Sequence, residues 1–241
     1  LFRHEFDSVM DGIVYASIVA LGFAATENFY YIYVQGYRAD IGGGWEGLWI
    51  LAFIRIILVG WQHPFYTSFF GIGLAIHRLT NQWFIKWLAP LLGFCLAVFT
   101  HGFHNTINPI LSSQLGIGGL ILGSLFDWIG WFFMLVFCVW MMFREQQILK
   151  KYLAVEVSLG TISLFQYRAA YSFLERMKTK LLSLFSPHHR RLNQLYTLCA
   201  ELAHKNRQLI EIGEERGNSK IIYQLRNQIL QFTQENPPVE L

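Results

Sequence analysis

Charge is scarce in this 241-residue chain: 15% of its residues are Asp, Glu, Lys or Arg, where a soluble domain carries about 25%. That deficit argues against an ordinary soluble enzyme. The shortage is also local. Residues 1–143 hold 5 Lys+Arg and 7 Asp+Glu, about 8% of their length, whereas residues 144–241 hold 14 and 9, about 23%. Cysteine is equally sparse, and Cys95, Cys138 and Cys199 lie far apart, two of them in apolar runs. No disulfide framework and no CxxC metal site follows. There is no HExxH sequence, no long internal repeat and no low-complexity tract. The opening, Leu1-Phe2-Arg3-His4-Glu5-Phe6-Asp7, is polar and lacks the basic, apolar and cleavage-site order of a signal peptide. The absent initial Met leads us to expect a longer protein, of which this chain is a fragment truncated at its N-terminus.

What the chain does have is apolar surface, with 54% hydrophobic and 17% aromatic residues. Two solvents are implied: lipid for a membrane-embedded domain, 1–143, and water for a tail, 144–241. A span needs about 20 mostly apolar residues. Residues 12–34 meet that length with one ionisable group, Glu27, and 87–107 and 119–143 are further candidates. The stretch 47–76 is broken by Trp61-Gln62-His63-Pro64. It reads as two short helices, or one re-entrant and one spanning, with Pro64 in a first helical turn and His63 at the break. The fold class expected is all-α: a polytopic membrane helical bundle of about four to five spans or part-spans, with a C-terminal soluble helical hairpin.

Lys and Arg near span ends set orientation. Arg144, Lys150 and Lys151 follow the last span, and Arg78 and Lys86 bracket the loop before 87–107. Both flanks read as cytoplasmic, with an uncharged loop at 108–118 on the other side. In the tail, Leu192, Leu195, Leu198, Leu202 and Leu209 recur at helical steps, with Glu201 and Lys205 paired on a polar face. Gly217-Asn218-Ser219 breaks the pattern, 221–232 resume it, and Pro237-Pro238 end it. The basic tail reads as an orientation signal and a surface facing anionic lipid; no nucleic-acid partner is expected.

Polar residues inside spans carry the chemical information, because an ionisable group at the bilayer centre costs about 2.5 kcal/mol or more. Glu27, Arg55, His63 and His101 stand out, with Asn105 one turn after His101 on the same helix face. Each has a structural reading: Glu27 pairing with Arg55, histidines bonding helix to helix, Arg55 snorkelling, His63 at the lipid interface beside Trp61. His104 and Asp127 read as helix-contact residues. The alternative is that Glu27, His63 and His101 supply three ligands with an open fourth position, as in catalytic zinc sites. Asn105 would then donate to a developing oxyanion.

Three separated stretches, Asp11-Gly12-Ile13-Val14-Tyr15 with Gly22-Phe23-Ala24-Ala25-Thr26-Glu27-Asn28, then His63-Pro64-Phe65-Tyr66-Thr67-Ser68-Phe69-Phe70-Gly71, then His101-Gly102-Phe103-His104-Asn105, together resemble the PrsW family of intramembrane proteases. The second family motif is FxxxE, matched by Phe23 and Glu27. The last is a His with a polar residue four later; Asn105 stands where that family has Asp, as in the HxxxN of the related CAAX-type prenyl proteases. The resemblance covers 1–143 and implies proteolysis in or beside the membrane. Catalytic residues would be Glu27, His63, His101 and Asn105, with Glu27, His63 and His101 holding a divalent metal, zinc by resemblance. It also implies a membrane-anchored protein substrate of the anti-sigma-factor kind, a bacterial cell membrane and a cytoplasmic tail. The family's first motif, an EExxK pair supplying a general base, does not occur; the one Glu pair is Glu214-Glu215 in the tail. Two other functions stay open. A small proton-coupled transporter would line a path with Glu27, Arg55, His63 and His101, and a catalytically inactive scaffold would act through its tail.

Overall fold

The computed structural model describes residues 8–39, 42–214 and 217–235. Among them every regular element is a helix: α1 Val9–Tyr31, α2 Gly44–Ala52, α3 Gln62–Leu79, α4 Trp83–Leu115, α5 Ile117–Ser158, α6 Leu164–Tyr171, α7 Phe173–Leu182, α8 Pro187–Glu211 and α9 Asn218–Glu235. α1 and α2 each end in a wider π-helical turn, Ile32–Tyr37 and Phe53–Leu58. Two compact units result, Leu1–Cys138 and Val139–Leu241, with α5 contributing to both.

Four stretches, Val9–Tyr37, Gly44–Leu79, Trp83–Leu115 and Ile117–Ser158, are long and apolar enough to cross a membrane. At most 22% of their most apolar windows is buried within the protein. Exposed apolar surface on that scale is compatible with lipid and not with water. The chain folds as a polytopic membrane helical bundle. The polar N-terminus of α1 is closed by a capping box, in which Ser8 Oγ accepts from Asp11 N–H and Asp11 Oδ2 accepts from Ser8 N–H.

The broken stretch 47–76 forms two helices separated at Val59–Trp61. Gly60 belongs to that bend, where a Cβ would overlap the Ile56 carbonyl. Pro64 falls in the first turn of α3, where its missing N–H has no intrahelical partner to lose. The expected loop at 108–118 is a correction: α4 runs through Pro109 to Leu115, and the turn is confined to Gly116, at φ +55°. Lack of charge there marked apolar helix, not loop.

α3 is the middle of the bundle. On one side Gly12 and Gly71 bring the backbones of α1 and α3 together, each so close that a Cβ would overlap the other's carbonyl. On the other side Gly73 abuts Ala89, and Gly93 abuts Phe69 of α3. His77 Nδ1 lies 2.6 Å from the Lys86 carbonyl oxygen. These contacts run antiparallel with a constant register. Continued toward the start of α3, the same register brings Phe23 of α1 and His101 of α4 to His63.

The second unit is more than the expected hairpin. α8 and α9 do pair, but they pack on the polar end of α5, which continues past Phe143 to Ser158, and α6 and α7 complete the unit. The core joins Leu149 and Leu153 of α5, Cys199 and Leu202 of α8, and Ile222, Leu225 and Ile229 of α9. Glu156 is fully buried among them. It accepts hydrogen bonds from Arg226 Nη2 at 2.7 Å, Asn206 Nδ2 at 2.9 Å and Thr161 Oγ1 at 2.9 Å. Lys205, expected on a polar face, is buried instead, its Nζ donating to Gln208 at 3.3 Å.

Candidate active site

Glu27 projects from the last third of α1, His63 from the first turn of α3 and His101 from the second half of α4. One oxygen of Glu27 and one nitrogen from each histidine all lie within 4.8 Å of one another. Glu27 Oε2 is 3.2 Å from His63 Nε2, and the two imidazole centroids are 5.2 Å apart. All three residues are partly buried. The sequence spacing of 36 and 38 residues between them carried no geometric signal; the glycine-pinned register of α1, α3 and α4 brings them together.

Around this cluster sit two layers of support. Phe23, one turn before Glu27, places its ring 5.5 Å from that of His63 and 6.4 Å from that of His101. Tyr66 stacks on His101 at 5.5 Å and 17°. The Tyr66 hydroxyl donates to Asp127 Oδ1 at 3.0 Å, and Gln62 Nε2 donates to Asp127 Oδ2 at 2.6 Å. His104 Nδ1 stands 2.8 Å from that same oxygen and 2.7 Å from Asn108 Nδ2. Asp127 therefore ties α5 to α3 and α4 directly behind the site, a helix-contact role as expected from its sequence setting. Tyr66 and Gln62 were not singled out in the sequence; their positions three residues after and one before His63 are the only signal available.

Arg55 does not snorkel. From the π-helical turn after α2 its Nε donates to Asn28 Oδ1 at 2.7 Å and its Nη2 to Glu27 Oε2 at 3.3 Å, while the guanidinium lies 4.1 Å from the Tyr31 ring centroid. Glu27 thus meets both an Arg and a His. A small cavity of about 50 Å³ opens here, lined by Glu27, Arg55, His63, His104 and Asn105 among others. Asn105 reaches the same space as Glu27 and His63. Thr67 and Gly71, in line with His63 on the helix face, serve the α1–α3 contact in the case of Gly71.

The donor set suits a divalent metal. Bonds of about 2.0–2.2 Å from one ion put two ligand atoms about 3.4 Å apart, close to the 3.2 Å between Glu27 Oε2 and His63 Nε2. His63 Nε2 is buried and, that oxygen aside, has no hydrogen-bond partner among the described residues. Two imidazoles and one carboxylate match the His₂Glu chemistry of catalytic zinc.

Comparison with known proteins adds independent information. The model of the family described as "PrsW family intramembrane metalloprotease" matches residues 1–141. A protein named Protease PrsW from Oceanobacillus iheyensis is 32% identical over 114 residues, 47% of this chain and 46% of that protein. A second Protease PrsW, from Geobacillus kaustophilus, is 30% identical over 103 residues, 42% of this chain and 39% of its own length. The chain thus spans less than half the length of these curated relatives. No solved structure matches.

Proposed function

The chain belongs to the PrsW family of intramembrane metalloproteases, and from that premise we propose that it carries the active site of a membrane-embedded endopeptidase. The observation that carries this reading is the convergence of Glu27, His63 and His101 from three apolar helices, with ligand atoms within 4.8 Å of one another. Glu27, His63 and His101 would hold the metal, which we take to be zinc. When bound, such an ion lowers the pKa of a water and polarises a carbonyl.

The chain's own residues position the reacting groups and stabilise developing charge. Arg55 fixes the Glu27 carboxylate and Asn28 in one orientation. Phe23 and Tyr66 pack against the imidazoles and hold their ring planes. Asn105 presents an amide to the cavity, where it donates to the substrate carbonyl oxygen as negative charge builds on it. The substrate is proposed to be a membrane-anchored regulatory protein of the anti-sigma-factor kind, the setting a bacterial cell membrane, and the tail cytoplasmic. We further propose that 1–143 form the protease-like domain and 144–241 a separate tail domain.

The test is cleavage of a membrane-tethered reporter in proteoliposomes by the product of the complete gene. Glu27→Gln, His63→Ala and His101→Ala are each expected to cut the rate by about 100-fold or more, and Asn105→Ala by about 10². Unchanged cleavage in the Glu27 and His101 variants sinks the assignment. The Arg55–Glu27 pair beside a polar cavity favours one other reading, a proton-coupled carrier. Substrate flux lost in Glu27→Gln, with no cleavage by the parent protein, decides for it.

A further inference from the structure

Within the second unit, α7 has its faces arranged in an unusual order. Thr179 is buried and Arg176 turns toward Glu145 of α5, with Nη1 to Oε1 at 3.3 Å. The opposite face carries Leu174 and Leu181, with Met177 at its edge beside the cavity shared with α5, spaced three and four residues apart, and the turn beyond the helix adds Leu184 and Phe185. Leu174 is 68% exposed, Leu181 58%, Leu184 69% and Phe185 86%. Exposed apolar residues in such a row do not belong against water. Lys178 and Lys180 flank the row, and Arg190 and Arg191 follow at the start of α8, all exposed; Glu175 is the single acid on the helix.

The level at which this helix sits is fixed by its own unit. A cavity of about 450 Å³ has Met142 and Glu145 of α5 on one side and Arg176, Met177 and Lys180 of α7 on the other. Met142 and Glu145 straddle the point where the apolar run of α5 ends, at Phe143, and Arg144 begins the polar part. α7 therefore lies level with the apolar-to-polar transition of α5. An amphipathic helix with lysines beside its apolar face, at that height, has the composition of one that lies in the interface.

We propose that α7 and the Leu184–Phe185 turn dock the tail onto the bilayer surface, with Leu174, Met177, Leu181, Leu184 and Phe185 in the acyl boundary and Lys178, Lys180, Arg190 and Arg191 on anionic headgroups. Continuity with α5 favours the membrane as occupant of this face. The proposal is independent of the proteolytic reading.

The experiment uses the full chain in proteoliposomes, with an environment-sensitive fluorophore on Phe185→Cys or, as a second position, Leu174→Cys. Cys95→Ser and Cys138→Ala remove the competing thiols; Cys199 is fully buried and stays. Both labelled positions are exposed, so the core is left intact. The expected result is quenching by lipid spin-labelled near the headgroup, shielding from iodide, and a lipid quenching about twofold stronger in phosphatidylglycerol-containing than in pure phosphatidylcholine vesicles. Lys178→Glu with Lys180→Glu removes that difference. A label open to iodide and unquenched by lipid in both vesicle types overturns the proposal. So does shielding that follows the protein-to-lipid ratio instead of lipid charge, which assigns the face to a second copy of the chain.

Discussion

At the scale of single residues, Asp127 shows how much a half-buried carboxylate can hold. It takes hydrogen bonds from Gln62 and Tyr66 and pairs with His104, and Tyr66 in turn stacks on His101. Asp127→Ala strips the acceptor from two buried groups, Gln62 and Tyr66, each at a cost of about 1–3 kcal/mol. We expect a lower melting temperature in detergent together with a loss of cleavage activity. Tyr66→Phe removes one hydrogen bond, about 1 kcal/mol, keeps the ring on His101 and should leave most of the activity; an equal loss from both variants contradicts the support role. Glu27, His63, His101 and Asn105 were legible in the sequence as polar residues in apolar surroundings. Their approach to one another was not, because ligands on different helices leave no spacing to read. The identity of Arg55's partners was legible only as one of several possibilities.

At the scale of elements, the site depends on how closely helix backbones approach. Gly12 and Gly71 admit no Cβ without a clash between main chains, whereas Gly22 on α1 has open space around it. Gly71→Ala should push α1 from α3, separate Glu27 from His63, and reduce cleavage by about tenfold or more, given the sensitivity of catalysis to misplacements of about 1 Å. Gly22→Ala, on the same helix as Glu27, should leave the rate within about twofold, since it changes an exposed position. Comparable losses in both would show that helix approach is not what sets the geometry. Helices α1, α4 and α5 announced themselves by length and hydropathy, and the α2–α3 break by Pro64. The helical run over 108–115 was missed because Asn, Pro and Ser residues read as a loop; in an apolar setting Ser112 and Ser113 turn their hydroxyls back onto the Pro109 and Ile110 carbonyls. α6 and α7 were missed because each is shorter than three turns; α6 carries little periodicity, and the apolar row of α7 spans only Leu174 to Leu181.

At the scale of the whole molecule, the two units are stabilised by different means. In the tail, burying Glu156 is offset by a bidentate Arg226 and two further donors. Arg226→Ala leaves that charge unpaired and should destabilise the tail by about 3 kcal/mol, read as an earlier loss of helical circular dichroism on heating. Glu211 gives the tail a pH response. Burial alone would raise its carboxyl, but hydrogen bonds from Arg207 and Tyr152, both at 2.8 Å, outweigh this and hold it below the ordinary carboxylate value. The stability it contributes is complete above the unfolded-state value of about 4.3 and is lost as pH falls through the folded one. Glu211→Gln should therefore flatten the acid limb of the tail's melting temperature against pH. Charge divides near residue 143, whereas the compact units divide between Cys138 and Val139, within α5; their internal packing depends on long-range partners that no local pattern specifies.

Glu27, with His63 and His101, is proposed to form a single metal site. Equilibrium dialysis of the purified protein in nanodiscs against limiting zinc, with metal counted by mass spectrometry, tests it most directly. One zinc should be retained per chain, and retention should be lost in each of Glu27→Gln, His63→Ala and His101→Ala while all three variants keep the parent's helical spectrum. Zinc retained undiminished in His101→Ala, or never retained by the parent protein, would contradict it.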